Sequence, residues 1–354
     1  MLHRLAARAM ARRLHRALKR EGLRRGPSVA DPDGRNKGIE IPAVWPPAIA
    51  MEMTQLELAR LEERAEESVR KLALPSCPGI LAEISREVRA EAPNVRRIGD
   101  LVTRDVAASA GILKTVNSVA YGLRGAARSV QQAIGYLGLD RTALLLAGLL
   151  LRNAFPSADR PVLARFWQAS AQLATAAGFL ARALGVADRD EAYTFGLFRD
   201  AGSAVLICRY ADYDSVLAAC PESATVTDHE KAHFGADHAV IGAVLARDWH
   251  LPEEMSDAIL WHHADFVLAL DAAPIRLEAV RLIALGVLGD RVIDRYRGEH
   301  ESAGVAGALK HALRLLGLAE RDFADLETEA LTLLAERDGR PMPTMRLRTL
   351  RGLG

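Results

Sequence analysis

Cysteine is scarce in this 354-residue chain: Cys77, Cys208 and Cys220 lie far apart and form no C-x-x-C pair. That spacing argues against a disulfide framework or a cysteine zinc site and suits a reducing cytoplasm. Aromatic residues are also few, 5% of the chain. The four tryptophans, Trp45, Trp167, Trp249 and Trp261, are scattered and offer no platform on which bases would stack. An excess of either charge is missing as well. The 46 Lys and Arg balance 45 Asp and Glu, for a formal net charge of +1, so the molecule as a whole has no evident hold on nucleic acid. No apolar run approaches the ~20 residues of a membrane-spanning helix; the best candidate, Ala143–Leu151, reads as a buried core helix. No continuous apolar core follows the N-terminal charges, so a secretory signal is not expected. There is no G-x-x-x-x-G-K-[ST] phosphate loop and no G-x-S-x-G nucleophile elbow, and no cofactor is expected.

What is abundant is Ala, Leu and Arg, in a chain that is 50% hydrophobic. These side chains lose little freedom in a helix. Apolar residues recur at helical spacing from 80 to 336, in short segments separated by Pro, Gly and Asn, and no stretch alternates at period two over a strand length. An all-α protein is predicted. Residues 1–25 form a basic N-terminal arm in which nine Arg and Lys face only Glu21. Such an arm is suited to anionic lipid or nucleic acid, although its apolar stripe is thin and lacks a Trp or Phe anchor; a solvated leader is the plainer reading. Residues 26–50 read as a Pro/Gly-rich linker, and 51–73 as an exposed amphipathic helix. That helix suits self-association or packing across the domain equally well.

Ordered blocks then follow: Leu74-Pro75 through Pro78, Asp105 before small residues, Asn117-Ser118, Tyr121-Gly122, Ser129, and Ala133-Ile134 with Leu137-Gly138. Further on come Phe166-Trp167 with Ser170, Gly196-Leu197 before Asp200 and Gly202, and Glu230 with Phe234-Gly235. Asp237-His238, Trp249 with Leu251-Pro252-Glu253-Glu254, and His262-His263 complete the series. Over 74–290 this series resembles the HDOD domain, a bacterial signalling module related to HD-type phosphohydrolases. The resemblance implies a two-part helical domain, an N-terminal bundle of five or six helices packed on a degenerate HD-like half. Residues 291–354 would form a helical C-terminal extension.

The catalytic relatives hold one or two divalent metals with His and Asp from several helices, and the metals activate water and stabilise phosphoryl charge. In this chain the resemblance places Arg199 where the metal-binding His should be, in the sequence GLFRDAG. Arg is permanently protonated and has no lone pair to give a metal. The earlier His falls near Ala169 or Ser170, and the later Asp near Gly286, none of them a comparable ligand. Asp200, His238, His262 and His263 survive as a vestigial cluster, with no metal expected there and no catalytic residue. A reduced metal site with residual phosphohydrolase activity is the alternative.

A rival motif is His229-Glu230-Lys231-Ala232-His233, a literal H-E-x-x-H, with Glu253 spaced as a third zinc ligand and Asp257 beyond it. A zinc peptidase would follow from it. Lys231 inside the motif, Gly235 soon after it, and Pro252 marking Glu253-Glu254 as first-turn acids all argue against that reading. The function implied by the resemblance is a non-catalytic regulatory scaffold in a bacterial cytoplasm, acting through signalling proteins or a ligand. Asn117, Ser118 and Tyr121, beside a turn, are the candidate ligand or partner surface, in a groove shared with the surviving histidines. The plainer reading of these three is that they cap and pin a helix junction.

Overall fold

The structure, a computed structural model, describes Leu72 and residues 74–339, apart from 119–120, 122–125, 156–160, 222–224, 265–266, 269–274 and 299–302. These belong to the second of the two units into which the chain divides, Leu61–Gly354. The arm 1–25, the linker 26–50, nearly all of 51–73, Trp45 and the glycines of 122–125 lie outside the described residues.

Polar caps set the helix starts. Asn94, Asp105, Ser129, Asp188, Thr225 and Asp237 each accept a hydrogen bond from a backbone N–H of the first turn that follows, satisfying donors that a helix leaves unpaired. The N-terminal bundle contains α1 (Gly79–Val88), α2 (Val95–Arg104), α3 (Val106–Val116), α4 (Val130–Leu137) and α5 (Leu139–Leu151). Five helices therefore form this half among the described residues. Each turns an apolar face inward: Leu81 and Ile84 of α1, Ile98 and Val102 of α2, Ile112 and Val116 of α3, and Leu146 and Leu151 of α5 are buried.

Next come α6 (Pro161–Leu184), α7 (Arg189–Phe198), α8 (Ala201–Arg209), α9 (Tyr213–Ala218), α10 (Val226–Phe234), α11 (His238–Asp248), α12 (Glu253–Trp261) and α13 (Leu277–Arg297). The all-α expectation holds, and no strand occurs among the described residues. The apolar segment 191–210, continuous in the sequence pattern, is broken at Arg199-Asp200 into α7 and α8. The short α9 carries too few residues for its periodicity to be read.

α6 is the spine. It packs against α7, α13 and α15 (Glu320–Asp338), while α5 packs on α7 and so joins the bundle to the second half. α14 (Ala303–Leu315) and α15 are packed on this same core rather than appended to it. α13 runs across the expected boundary at 290/291, and buried Gln172 on α6 donates to Asp338 at 2.8 Å and accepts from Arg297 at 3.0 Å. The opening segment is tied down where Trp249, fully buried, donates its indole N–H to the Pro75 carbonyl at 3.1 Å.

Two contacts leave no room for a side chain. A Cβ on Gly196 would lie 2.5 Å from Cα of Ala174, and one on Gly202 would lie 2.0 Å from the His238 carbonyl oxygen. The second contact brings α8 against the first turn of α11. Gly202→Ala is expected to cost about 3 kcal/mol or more by overpacking a backbone that has little freedom to withdraw. Gly79→Ala, where a Cβ meets nothing within 4 Å, stays within about 1 kcal/mol of the parent. Urea unfolding of the two variants checks the difference.

Candidate functional site

Three helix junctions converge on one point. Asp200 occupies the break between α7 and α8, His238 opens α11, and His262-His263 follow α12. One donor atom from each of these four residues lies within 4.8 Å of the others. His262 Nε2 is 3.2 Å from Asp200 Oδ1 and 3.3 Å from His238 Nε2. His263 Nε2 is 2.9 Å from His238 Nε2. The sequence-predicted cluster is thus assembled, with His238 deep in the core and His263 at the surface.

The outer nitrogens are already committed. His238 Nδ1 sits 2.6 Å from Oε2 of Glu230, which is wholly buried and also accepts from the His238 backbone N–H and the Tyr213 hydroxyl. Burial opposes charge on Glu230, but the hydrogen bonds from His238 and Tyr213 outweigh it and hold this carboxyl below its usual range. Burial likewise opposes the His238 imidazolium, and Glu230 reverses the balance, so His238 is shifted up. His262 Nδ1 lies 2.7 Å from the Ile259 carbonyl and must donate to it. Burial shifts His262 down despite Asp200.

These bonds fix the remaining lone pairs. With Nδ1–H given to a carbonyl, neutral His262 turns a bare Nε2 toward the Asp200 carboxylate, and neutral His238 turns its own toward the same place. One positive charge between them closes this set. Imidazoles whose other nitrogen donates to a carboxylate or carbonyl are the usual company of a metal ion. The three Nε2 atoms and the Asp200 carboxylate therefore fit one divalent ion, which would supply a polarised, acidified water.

They do not fit two. Arg199 sends its guanidinium to both neighbouring carboxylates: Nε and Nη2 to Asp200 Oδ2 at 3.0 and 2.8 Å, and Nη1 to Asp290 Oδ2 at 2.7 Å. Burial opposes its charge, but the two carboxylates more than restore it. Burial also opposes ionisation of Asp200; Arg199 and His262 overcome this and hold its carboxyl well below the usual range. Gly286 does face this spot, since a Cβ there would lie 3.5 Å from Arg199 Nη1. Asp290, one helical turn further along α13, reaches Arg199. A four-residue step on a helix was the signal for it. Ser170 bonds its own helix at Phe166 O, 3.1 Å away.

The H-E-x-x-H motif comes apart in the fold. Glu230 turns into the core toward His238, while His229 Nε2 takes the Val216 carbonyl at 2.8 Å and His233 Nδ1 the His229 carbonyl at 2.9 Å. Gly235, at φ +80°, ends α10 right after the motif, and Glu253 opens α12 as a first-turn acid. Among the described residues these histidines form no ligand group. Asn117 clamps Ala127, donating from Nδ2 to its carbonyl at 2.9 Å and accepting its N–H at 2.7 Å, which closes the loop between α3 and α4. Tyr121 donates to the buried Asp190 under the guanidinium of Arg189, 4.3 Å from the ring centre. A cavity does lie between the halves, but neither this turn nor the histidine cluster lines it.

The model described as the HDOD domain matches residues 74–265, more than half of the chain. An uncharacterized protein of Treponema pallidum is 28% identical over 197 residues, which cover 54% of this chain and 37% of that protein. The fold is similar to that of an HDOD domain protein of unknown function from Geobacter sulfurreducens, with TM-score 0.59 and 22% identity over 79% of this chain and 96% of that one. It is also similar to a provisionally named phosphohydrolase from Shewanella amazonensis, with TM-score 0.56 and 22% identity over 77% and 93% of the two chains.

Removing the guanidinium leaves two carboxylates facing each other. Because Asp290 is 37% exposed, water offsets part of the loss. Arg199→Ala is therefore expected to cost about 2–3 kcal/mol rather than the larger value of a fully buried pair. Arg199→Lys recovers only part of this, since an ammonium cannot reproduce the fork. Urea unfolding curves of the three proteins measure both effects.

Proposed function

We propose that this chain, which belongs to the HDOD family, is a regulatory signalling module that does not hydrolyse phosphate esters. The observation that carries this reading is the Arg199 bridge from Asp200 to Asp290. A permanently charged guanidinium stands where the catalytic relatives place a metal-binding histidine, and it takes up the carboxylates that a second ion would need. Two-ion hydrolysis depends on a pair of cations that stabilises both the attacking and the leaving oxygen. On this reading Arg199 takes one of the two positions.

Asp200, His238, His262 and His263 would hold the remaining ion. On this reading an ion held there braces three helix junctions, as the Glu230–His238 pair already does, whereas the acidified water it would supply is what the rival reading needs. Signalling proteins are the partners this reading implies, and a bacterial cytoplasm is the setting. Residual phosphohydrolase activity is the rival, favoured by the intact four-ligand group and by the name of the Shewanella structure.

The two readings part in a direct assay. The purified full chain with added manganese or iron should turn over neither cyclic di-GMP nor nucleoside phosphates above blank. Metal-dependent turnover that disappears in His262→Ala would establish the rival.

A further inference from the structure

The cavity between the two halves, about 490 Å³, is walled by α1, α5, the start of α7 and the turn leading into α12. Leu81, Val88, Leu144 and Trp249 give it apolar sides. Its charged groups are unevenly partnered. Asp188 caps α7 and pairs with Arg141 at 2.6 Å, and Arg89 donates to the His250 carbonyl at 2.8 Å. Glu191 and Glu254, which also line it, make no salt bridge or side-chain hydrogen bond among the described residues. Arg276, on the α12 side, is already engaged by Glu253 and by Asp257 at 3.8 Å.

Each acid taken alone suits its place, since both Glu191 and Glu254 stand in the first turn of a helix, where the helix dipole favours negative charge. Their crowding is not explained that way. Burial, then Glu254, Asp188 and Glu278, push Glu191 up to about 7. Glu191 and Glu254 thus share the lining of one partly apolar hollow, where a bound positive charge would relieve their like-charge repulsion.

We propose that this cavity binds a small organic cation: a guanidinium or ammonium group seated between Glu191 and Glu254, on an aliphatic stem lying along the accessible faces of Val88, Ala143 and Leu144. Its volume falls within the usual range for small-molecule sites, roughly 300–1,000 Å³. The site is separate from the histidine cluster, so the proposal stands whatever the outcome of the hydrolysis assay.

Calorimetric titration of the full chain with butylguanidinium chloride at pH 8 is the test, with butanol and sodium chloride as controls for stem and salt. One-to-one binding of butylguanidinium is expected, with none by butanol. Glu191→Gln/Glu254→Gln should weaken it at least tenfold. These changes keep shape while removing repulsion, and circular dichroism confirms that the variant remains folded. Ala143→Phe, which fills the hollow and leaves both charges, should also abolish binding. Affinity should fall from pH 8 to pH 6 as Glu191 takes up a proton. The charged or titratable groups that share its surroundings are Glu254 of α12, Glu278 of α13, Asp188, Asp140 and Arg141, Arg89 of α1, and His250. No saturable binding to the parent at millimolar concentration, or equal affinity in the double glutamine variant, would overturn the proposal.

Discussion

The fork of hydrogen bonds from Arg199 to Asp200 and Asp290 is the constraint on which the second half of this molecule turns. It lies at the break between α7 and α8 and reaches across to α13, so one side chain ties three helices together. The break itself points Asp200 at the histidines. The guanidinium also accounts for the ionised state of Asp200, whose charge would be costly at this depth without a cation beside it.

Small residues make this geometry possible. Gly202 and Gly242 let α8 and α11 approach until backbone nearly meets backbone, and Gly286 lies against Phe195 and the guanidinium. The result is a rigid polar centre with its outer nitrogens anchored to Glu230 and to a helix carbonyl. The cavity at the opposite end of α7 is built differently, from apolar walls and from Glu191 and Glu254, which make no salt bridge among the described residues. The two sites thus sit at opposite ends of α7, Glu191 in its first turn and Asp200 just past its last.

Much of this was legible in the sequence. Helical periodicity between Pro, Gly and Asn breaks marked the helical segments, and the resemblance named Asp200, His238, His262 and His263, whose donor atoms lie within 4.8 Å of one another. The substitution at Arg199 was visible as a lost ligand, but not as a bridge, because its partner Asp290 lies far along the chain and only tertiary packing brings it near. The boundary at 290/291 was placed by the extent of the resemblance, whereas α13 continues through it. Glu230 belongs to two overlapping patterns, H-E-x-x-H and the partner of His238. Which one it serves depends on the direction its side chain takes from α10, and a sequence pattern does not specify that direction.

The central claim is that Arg199 occupies a cation position that the catalytic relatives give to metal. Elemental analysis of manganese-loaded protein, parent beside Arg199→His, tests it most directly. At most one ion per chain is expected in the parent, and a second in the variant, where an imidazole and the released Asp290 become available. Two ions per chain in the parent would contradict the account.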